Sequence, residues 1–313
     1  MSILLAVISL VVGLVVLIAG ADFLVRGSAQ LARIMGLSTF AIGVTVIAFG
    51  TSAPELFASI GAAIQGVPDL AVGNVVGSNI ANILLILGVG ALMVPIGIHR
   101  RVRFVELPIM MGITIAASIL MMDQIITRIE GLMLAGGLVA YVVFIVRSHR
   151  VDIEHEGDEV ATHPKSLKVD VLMILGGIIG LGIGAKALVY GASEVALTIG
   201  VPPGVVGTTI VAFGTSLPEL AATVRAAMAK QSDMAVGNIV GSNIFNLLSV
   251  LGITAMIKPL SMPTDMNTHI WIMLGVSGGL VILAIVRPVL SKLMGTIFVV
   301  GYLAYIVSAF MGQ

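Results

Sequence analysis

Residues 43–95 align without a gap on residues 207–259 at a constant offset of 164, and 29 of these 53 positions are identical. The register reaches back to Gly20, Ala21, Leu24, Val25 and Gly27, which meet Gly184, Ala185, Leu188, Val189 and Gly191. Both copies must therefore bury the same side chains in the same way. The chain around them is 58% hydrophobic and only 10% charged over 313 residues, more apolar surface than a soluble fold can hide. About 20 apolar residues cross a bilayer core. On that measure the chain predicts ten spans, near 3–25, 37–64, 70–94, 105–122, 129–147, 169–193, 203–229, 234–257, 269–286 and 292–311. Ile3 to Ala21 is too long an apolar run for a signal peptide and lacks a positive flank, so it reads as the first span.

Five spans per copy is an odd number, which makes the second copy enter the membrane from the opposite side. The expected fold is an all-α membrane protein of ten transmembrane helices arranged as two inverted five-helix repeats. The first repeat covers 1–147, a linker 148–168 and the second repeat 169–313. Arg26, Arg33, Arg100, Arg101, Arg103, Arg147, Arg150, Lys165, Lys168, Arg225, Lys230, Arg287 and Lys292 fall on one set of loops, with Arg128, Lys258 and Lys186 on the other. The positive-inside rule makes the first set cytoplasmic and both termini extracytoplasmic, in a cell inner membrane or plasma membrane. The linker carries Asp152, Glu154, Glu156, Asp158 and Glu159 without calcium-loop spacing and reads as a solvated connection.

Zero net charge and scattered basic residues exclude nucleic acid as a partner, and the absence of cysteine excludes thiolate ligands and disulfides. The environment the chain requires is the lipid bilayer.

Each copy interrupts an apolar helix with the same polar string, Gly50-Thr51-Ser52-Ala53-Pro54-Glu55 and Gly214-Thr215-Ser216-Leu217-Pro218-Glu219. A carboxylate at mid-span costs at least about 2.5 kcal/mol, so it faces a bundle interior or a wet cavity and marks function. Proline removes one backbone donor, which releases the carbonyls of Gly50 and Gly214 and loosens those of Ala48 and Ala212. A second polar cluster follows in each copy, Gly73-Asn74 to Asn82 and Gly237-Asn238 to Asn246. Ser78 and Asn82 are four apart and share a helical face, as do Ser242 and Asn246.

Brought together, these groups form an all-oxygen ligand set with about two negative charges, which suits Ca2+ with its six to eight flexible oxygen ligands. Zinc and copper favour nitrogen and sulfur, and all five histidines lie in loops or at span ends. Two negative charges balance one Ca2+, or two Na+ with a third monovalent ion on hydroxyls and carbonyls, so one site holds either load exclusively. The hydroxyls of Thr51, Ser52, Thr215 and Ser216 serve as ligands or satisfy broken backbone bonds. Asn79 and Asn243 read as packing or capping groups, Asp22 and Lys186 as interfacial, and most glycines as close-packing positions. A zinc hydrolase is not indicated, since no His-Glu-x-x-His motif occurs, and a channel commonly assembles its pore from several subunits.

The strings Gly-Thr-Ser-x-Pro-Glu and Gly-Ser-Asn-Ile-x-Asn, each present twice, resemble the calcium:cation antiporter superfamily, specifically its sodium/calcium exchanger branch. The resemblance covers essentially the whole chain. It implies a secondary-active Na+/Ca2+ antiporter rather than an enzyme, with no cofactor, Ca2+ and Na+ as transported ions, and one chain sufficient for transport. It further implies alternating access, with the first and sixth helices sliding against the other eight. Glu55 and Glu219 would ligate Ca2+ with backbone oxygen from Thr51 and Thr215. Ser52, Ser216, Ser78, Ser242 and the carbonyls of Ala48 and Ala212 would line sodium positions, and Asn82 and Asn246 match the remaining central positions. Potassium-dependent members carry aspartate where this chain has Asn246, which favours a potassium-independent mechanism. The vacuolar proton/calcium branch has Gly-Asn-x-x-Glu, which this chain does not match, yet a glutamate pair can also take protons as counter-ions, which leaves H+/Ca2+ exchange as the alternative.

Overall fold

The protein is described by a computed structural model that covers residues 3–149, 167–200, 212–264 and 266–311. The acidic run of the linker and the first part of the predicted seventh span lie outside the described residues. The long helices are α1 (Ile3–Met35), α4 (Pro68–Met93), α5 (Val102–Leu120), α6 (Arg128–Ser148), α7 (Leu167–Thr198), α10 (Ser232–Ile257), α11 (Met266–Val286) and α12 (Lys292–Met311). Two shorter helices, α2 (Thr39–Thr51) and α3 (Ala53–Ile64), form one span bent by 42°. Helices α8 (Ala212–Gly214) and α9 (Leu217–Met228) follow in the second half. Nine apolar spans are thus present among the described residues, counting the bent pair as one.

Helix α1 runs to Met35, ten residues beyond the expected span end at 25. Hydropathy marks where a chain leaves the hydrocarbon, whereas a helix ends where its backbone ladder does. Leu37 N–H bonds Ala32 O at 2.9 Å and Gly36 takes φ +60°, a left-handed stop that glycine adopts without strain.

Helices α4 and α10 are largely buried, while α1, α6, α7 and α12 turn Leu4, Val15, Leu132, Leu172, Ile297 and Val300 outward. Apolar residues on the outside of a bundle with a buried polar centre are the arrangement that lipid as solvent requires.

Helices α1 and α7 pack antiparallel along glycines spaced seven apart, Gly13, Gly20 and Gly27 on one and Gly177, Gly184 and Gly191 on the other. A Cβ on any of them would lie 2.4–2.9 Å from partner backbone. Between α2 and α10, Gly43 would place a Cβ 2.7 Å from Met234 O, and Gly241 one 2.5 Å from Val44 O. That approach seats the second polar cluster of one half against the Gly-Thr-Ser string of the other.

The offset of 164 persists in the folded chain. Four two-residue strands, β1 (Ile96–Gly97), β2 (Ile125–Ile126), β3 (Leu260–Ser261) and β4 (Val289–Leu290), pair β1 with β4 and β2 with β3, both antiparallel. Adding 164 to β1 gives β3 and to β2 gives β4, so each pair maps onto the other when the halves exchange. Matching π-helical turns begin at Asn82 (Asn82–Leu87) and Asn246 (Asn246–Val250).

Candidate cation site

The bend between α2 and α3 falls at Ser52, whose φ of −84° and ψ of 2° leave the helical region one residue before Ala53 and two before Pro54. Pro54 and Pro218 occupy the first turns of α3 and α9, where the missing N–H costs nothing, and Glu55 and Glu219 follow inside the same turns. A carboxylate in the first turn of a helix is favoured by the unpaired N–H groups there. Local chemistry thus places each acid in the first turn of a helix.

Glu55 and Glu219 are each 1% exposed, and they interact electrostatically with one another. Ser52 Oγ donates to Glu219 Oε1 at 3.1 Å, across the two halves. Thr215 stands beside Glu55, as Thr51 does beside Glu219. Asn82 Nδ2 donates to Asn243 Oδ1 at 3.2 Å, another bond between halves. Thr51, Ser52, Ser78, Ser216, Ser242, Asn82 and Asn246 are buried, the backbone of Ala48 lies in α2, and that of Ala212 opens α8; Thr215 is half-buried.

Several buried oxygens here have no hydrogen-bond partner among the described residues: both carboxylate oxygens of Glu55, Glu219 Oε2, Asn82 Oδ1, Asn246 Oδ1 and Ser242 Oγ. Leaving one buried acceptor unpaired costs about 1–3 kcal/mol. A hard cation removes such a deficit where the oxygens converge, because it takes oxygen lone pairs and offsets carboxylate charge at once.

One backbone expectation differs from what is seen. Ala48 O accepts Ser52 N–H at 2.9 Å and Thr51 Oγ1 at 3.3 Å, so this carbonyl is bonded rather than loosened. The helix relaxes at Ser52 itself, which lets its N–H still reach four residues back. In the second half Ser216 N–H bonds Phe213 O at 3.1 Å instead, a tighter turn that bypasses Ala212 O.

Two asparagines that the sequence did not single out, Asn74 and Asn238, also build the site, together with Asn243, which the sequence reads as a packing or capping group. Asn74 Nδ2 donates to Ser59 Oγ at 2.9 Å and to Glu55 O at 3.3 Å, and Asn238 Nδ2 repeats this with Thr223 at 2.9 Å and Glu219 O at 3.4 Å. Thr51 Oγ1 donates to Asn238 Oδ1 at 3.3 Å, so Asn238 ties one half's hydroxyl to the other half's glutamate. Asn243 is the third, through Asn82. The repeat itself carried the signal, since asparagine recurs at these positions. Asn79 bonds its own helix at Val75 O, 2.7 Å away, and Asp22 pairs with Arg26 and Arg225 away from the acids.

The family model described as sodium/calcium exchanger protein matches residues 5–147 and 169–311. The chain belongs to the sodium/calcium exchanger family. It is 37% identical over 263 residues to the putative antiporter CaxA of Alkalimonas amylolytica, covering 82% of each chain. It is 30% identical over 319 residues to the sodium/calcium exchanger MaX1 of Methanosarcina acetivorans, covering 89% of this chain and 91% of that one. A solved structure of the sodium-calcium exchanger NCX_Mj, soaked with 10 mM Na+ and zero Ca2+, superposes with a TM-score of 0.88 at 31% identity, over 98% of this chain and 99% of the other. As an exchanger of this family, the chain is a multi-pass membrane protein.

Proposed function

We propose that this protein is a secondary-active antiporter that expels Ca2+ in exchange for Na+, with the two ions competing for one site at mid-membrane. The observation that carries the reading is the pair of buried glutamates, one from each half, that interact with one another and, among the described residues, leave carboxylate oxygens without a hydrogen-bond partner. In this reading ten helices form two inverted five-helix repeats, and the exchange symmetry of the strand pairs supports it. The repeats are residues 1–147 and 169–313, joined by a cytoplasmic linker. Both termini are extracytoplasmic in the inner or plasma membrane.

Glu55 and Glu219 hold Ca2+ with backbone oxygen from Thr51 and Thr215. Ser52, Ser216, Ser78, Ser242 and the carbonyls of Ala48 and Ala212 line the positions that Na+ uses, and Asn82 and Asn246 occupy the remaining central positions. The Ala48 carbonyl becomes available only when Ser52 N–H or Thr51 Oγ1 gives it up, so the bend at Ser52 is where ion loading and backbone movement meet. Two negative charges in a bundle interior are not left uncompensated. The protein therefore crosses between its two open faces loaded with one Ca2+ or with Na+, and that obligatory load is what makes it an exchanger.

Radioactive calcium uptake into proteoliposomes tests the reading. An outward sodium gradient drives accumulation in a Na+/Ca2+ antiporter. Accumulation driven by a pH gradient alone replaces Na+ with H+ as counter-ion, and calcium entry with no counter-ion gradient overturns antiport altogether. Asn246→Asp adds a third negative charge beside the pair and is expected to change the ion dependence of uptake, introducing sensitivity to K+. An unchanged ion dependence removes Asn246 from the site.

A further inference from the structure

Outside the cation site, one ion pair joins the two halves on the basic side of the bundle. Arg225 on α9 donates from Nε at 2.7 Å to Oδ1 of Asp22 on α1, and its Nη2 lies 2.6 Å from the same oxygen. Arg26, one turn further along α1, holds the same carboxylate at 2.9 Å. Asp22 and Arg225 are half-buried, with side chains 23% and 26% exposed. A guanidinium that spends two N–H groups on a carboxylate partly shielded from water fixes α1 against α9 more firmly than a fully solvated pair does.

The repeat makes this pair one-sided. The offset of 164 carries α1 onto α7 and α3 onto α9, so the counterpart of an α1–α9 contact is an α7–α3 contact. Only the first is formed: α1 packs on α9, whereas α7 and α3 scarcely touch. The two halves, alike in sequence, therefore stand in different conformations. Exchanging those conformations generates a second state, in which α7 meets α3 and α1 leaves α9. Helix α1 does not make that move alone, because its glycines hold it at backbone contact with α7.

In the exchanged state the places of Asp22 and Arg225 are taken by Lys186 and Gly61, and that of Arg26 by Tyr190. No carboxylate stands at any of the three. The ion pair thus belongs to one state and has no substitute in the other. An interaction made in only one of two states shifts the population toward that state.

We propose that Asp22 and Arg225 are positioning residues that latch α1 onto α9 and bias the protein toward the state in which these helices meet. The part the latch plays in transport rests on the exchange reading above; the bias between the two states does not.

The chain has no cysteine, so introduced thiols report on their own positions alone. Gly61→Cys and Lys186→Cys together mark the exchanged state, since they take there the places that Arg225 and Asp22 hold here. A Cβ at 61 finds nothing nearer than Gln65 Nε2 at 4.0 Å, so the thiol fits. A thiol cross-linker with the span of an arginine side chain is applied in proteoliposomes containing Na+, and the initial rate of joining α3 to α7 is read on a gel. Asp22→Asn and Arg225→Gln, each added to this background, are expected to raise that rate about fivefold, the upper end for a partly exposed ion pair. Combined, they raise it no further than either alone, because both remove the same contact. Unchanged rates in both single variants overturn the proposal, as does a double variant in which the two effects multiply. Thiols that join in no background overturn it too, because the exchanged state then does not bring α7 to α3.

Sodium-driven calcium uptake separates the latch from the transport reading. If the wild type moves no calcium but the cross-linking rate rises in the variants, the latch stands and the exchange reading falls. If uptake is robust and the cross-linking rate ignores both substitutions, the latch falls alone.

Discussion

Glu55→Gln and Glu219→Gln are each expected to reduce sodium-driven calcium uptake by at least about a hundredfold. Either change keeps the side chain's shape and buried position and removes one of two negative charges facing a divalent ion. Removing one partner from a buried, compensated charge set costs about 3–5 kcal/mol, which at 1.4 kcal/mol per decade is at least two decades of affinity. Folding should not suffer. Among the described residues both Glu55 oxygens and one of Glu219 lack hydrogen-bond partners, and a glutamine oxygen at 219 can still accept from Ser52 Oγ, so the amide breaks no bond that the carboxylate makes. The expected pair of results is an unchanged or raised Tm in detergent together with lost uptake, and with a stabilisation by added Ca2+ that shrinks relative to wild type. Wild-type uptake in either variant removes that glutamate from the site.

Gly184→Ala is expected to destabilise the protein and to impair exchange, while Gly182→Ala does neither. A Cβ on Gly184 would stand 2.5 Å from Leu17 N, 2.8 Å from Leu17 Cα and 2.9 Å from Gly13 O, all backbone atoms that cannot rotate away. Relief requires α1 and α7 to separate, at the upper end of the about 1–3 kcal/mol of an overpacked core. Gly182, two residues away on the same helix, meets nothing within 4 Å. Alanine there gains helix propensity, up to about 1 kcal/mol over glycine, so the two substitutions should shift Tm in opposite directions. The same interface governs exchange if α1 and α7 move as one body against the remaining helices, since a wider spacing changes how both meet α2 and α9. Equal Tm shifts at Gly182 and Gly184 would mean that bulk at α7, rather than close approach to α1, is what matters.

Much of this protein was legible before any coordinates. The 164-residue offset survives as paired strands, as matched π turns beginning at Asn82 and Asn246, and as the twin bonds of Asn74 and Asn238 to the glutamate carbonyls. The acids were legible because a charge inside an apolar run is too costly to be accidental. Helix lengths were less so, because the charges of Arg26 and Arg33 end the membrane and not α1.

The sequence by itself determined where apolar segments lie along the chain, the likeness of the two copies, and which oxygen-bearing side chains lie among them. Those follow from hydropathy and identity, which are properties of residues along a chain. Only the tertiary structure decided that Ser52 reaches Glu219 rather than Glu55, that Thr51 meets Asn238, that Ala48 O remains bonded, and that His149 clasps Glu106 and Ser38. Equivalence under a repeat says that two residues have like surroundings; it does not say which atoms face each other. That is set by where glycines let α2 and α10 close to backbone contact, and by a half-buried hydroxyl at Ser38 meeting the imidazole of His149.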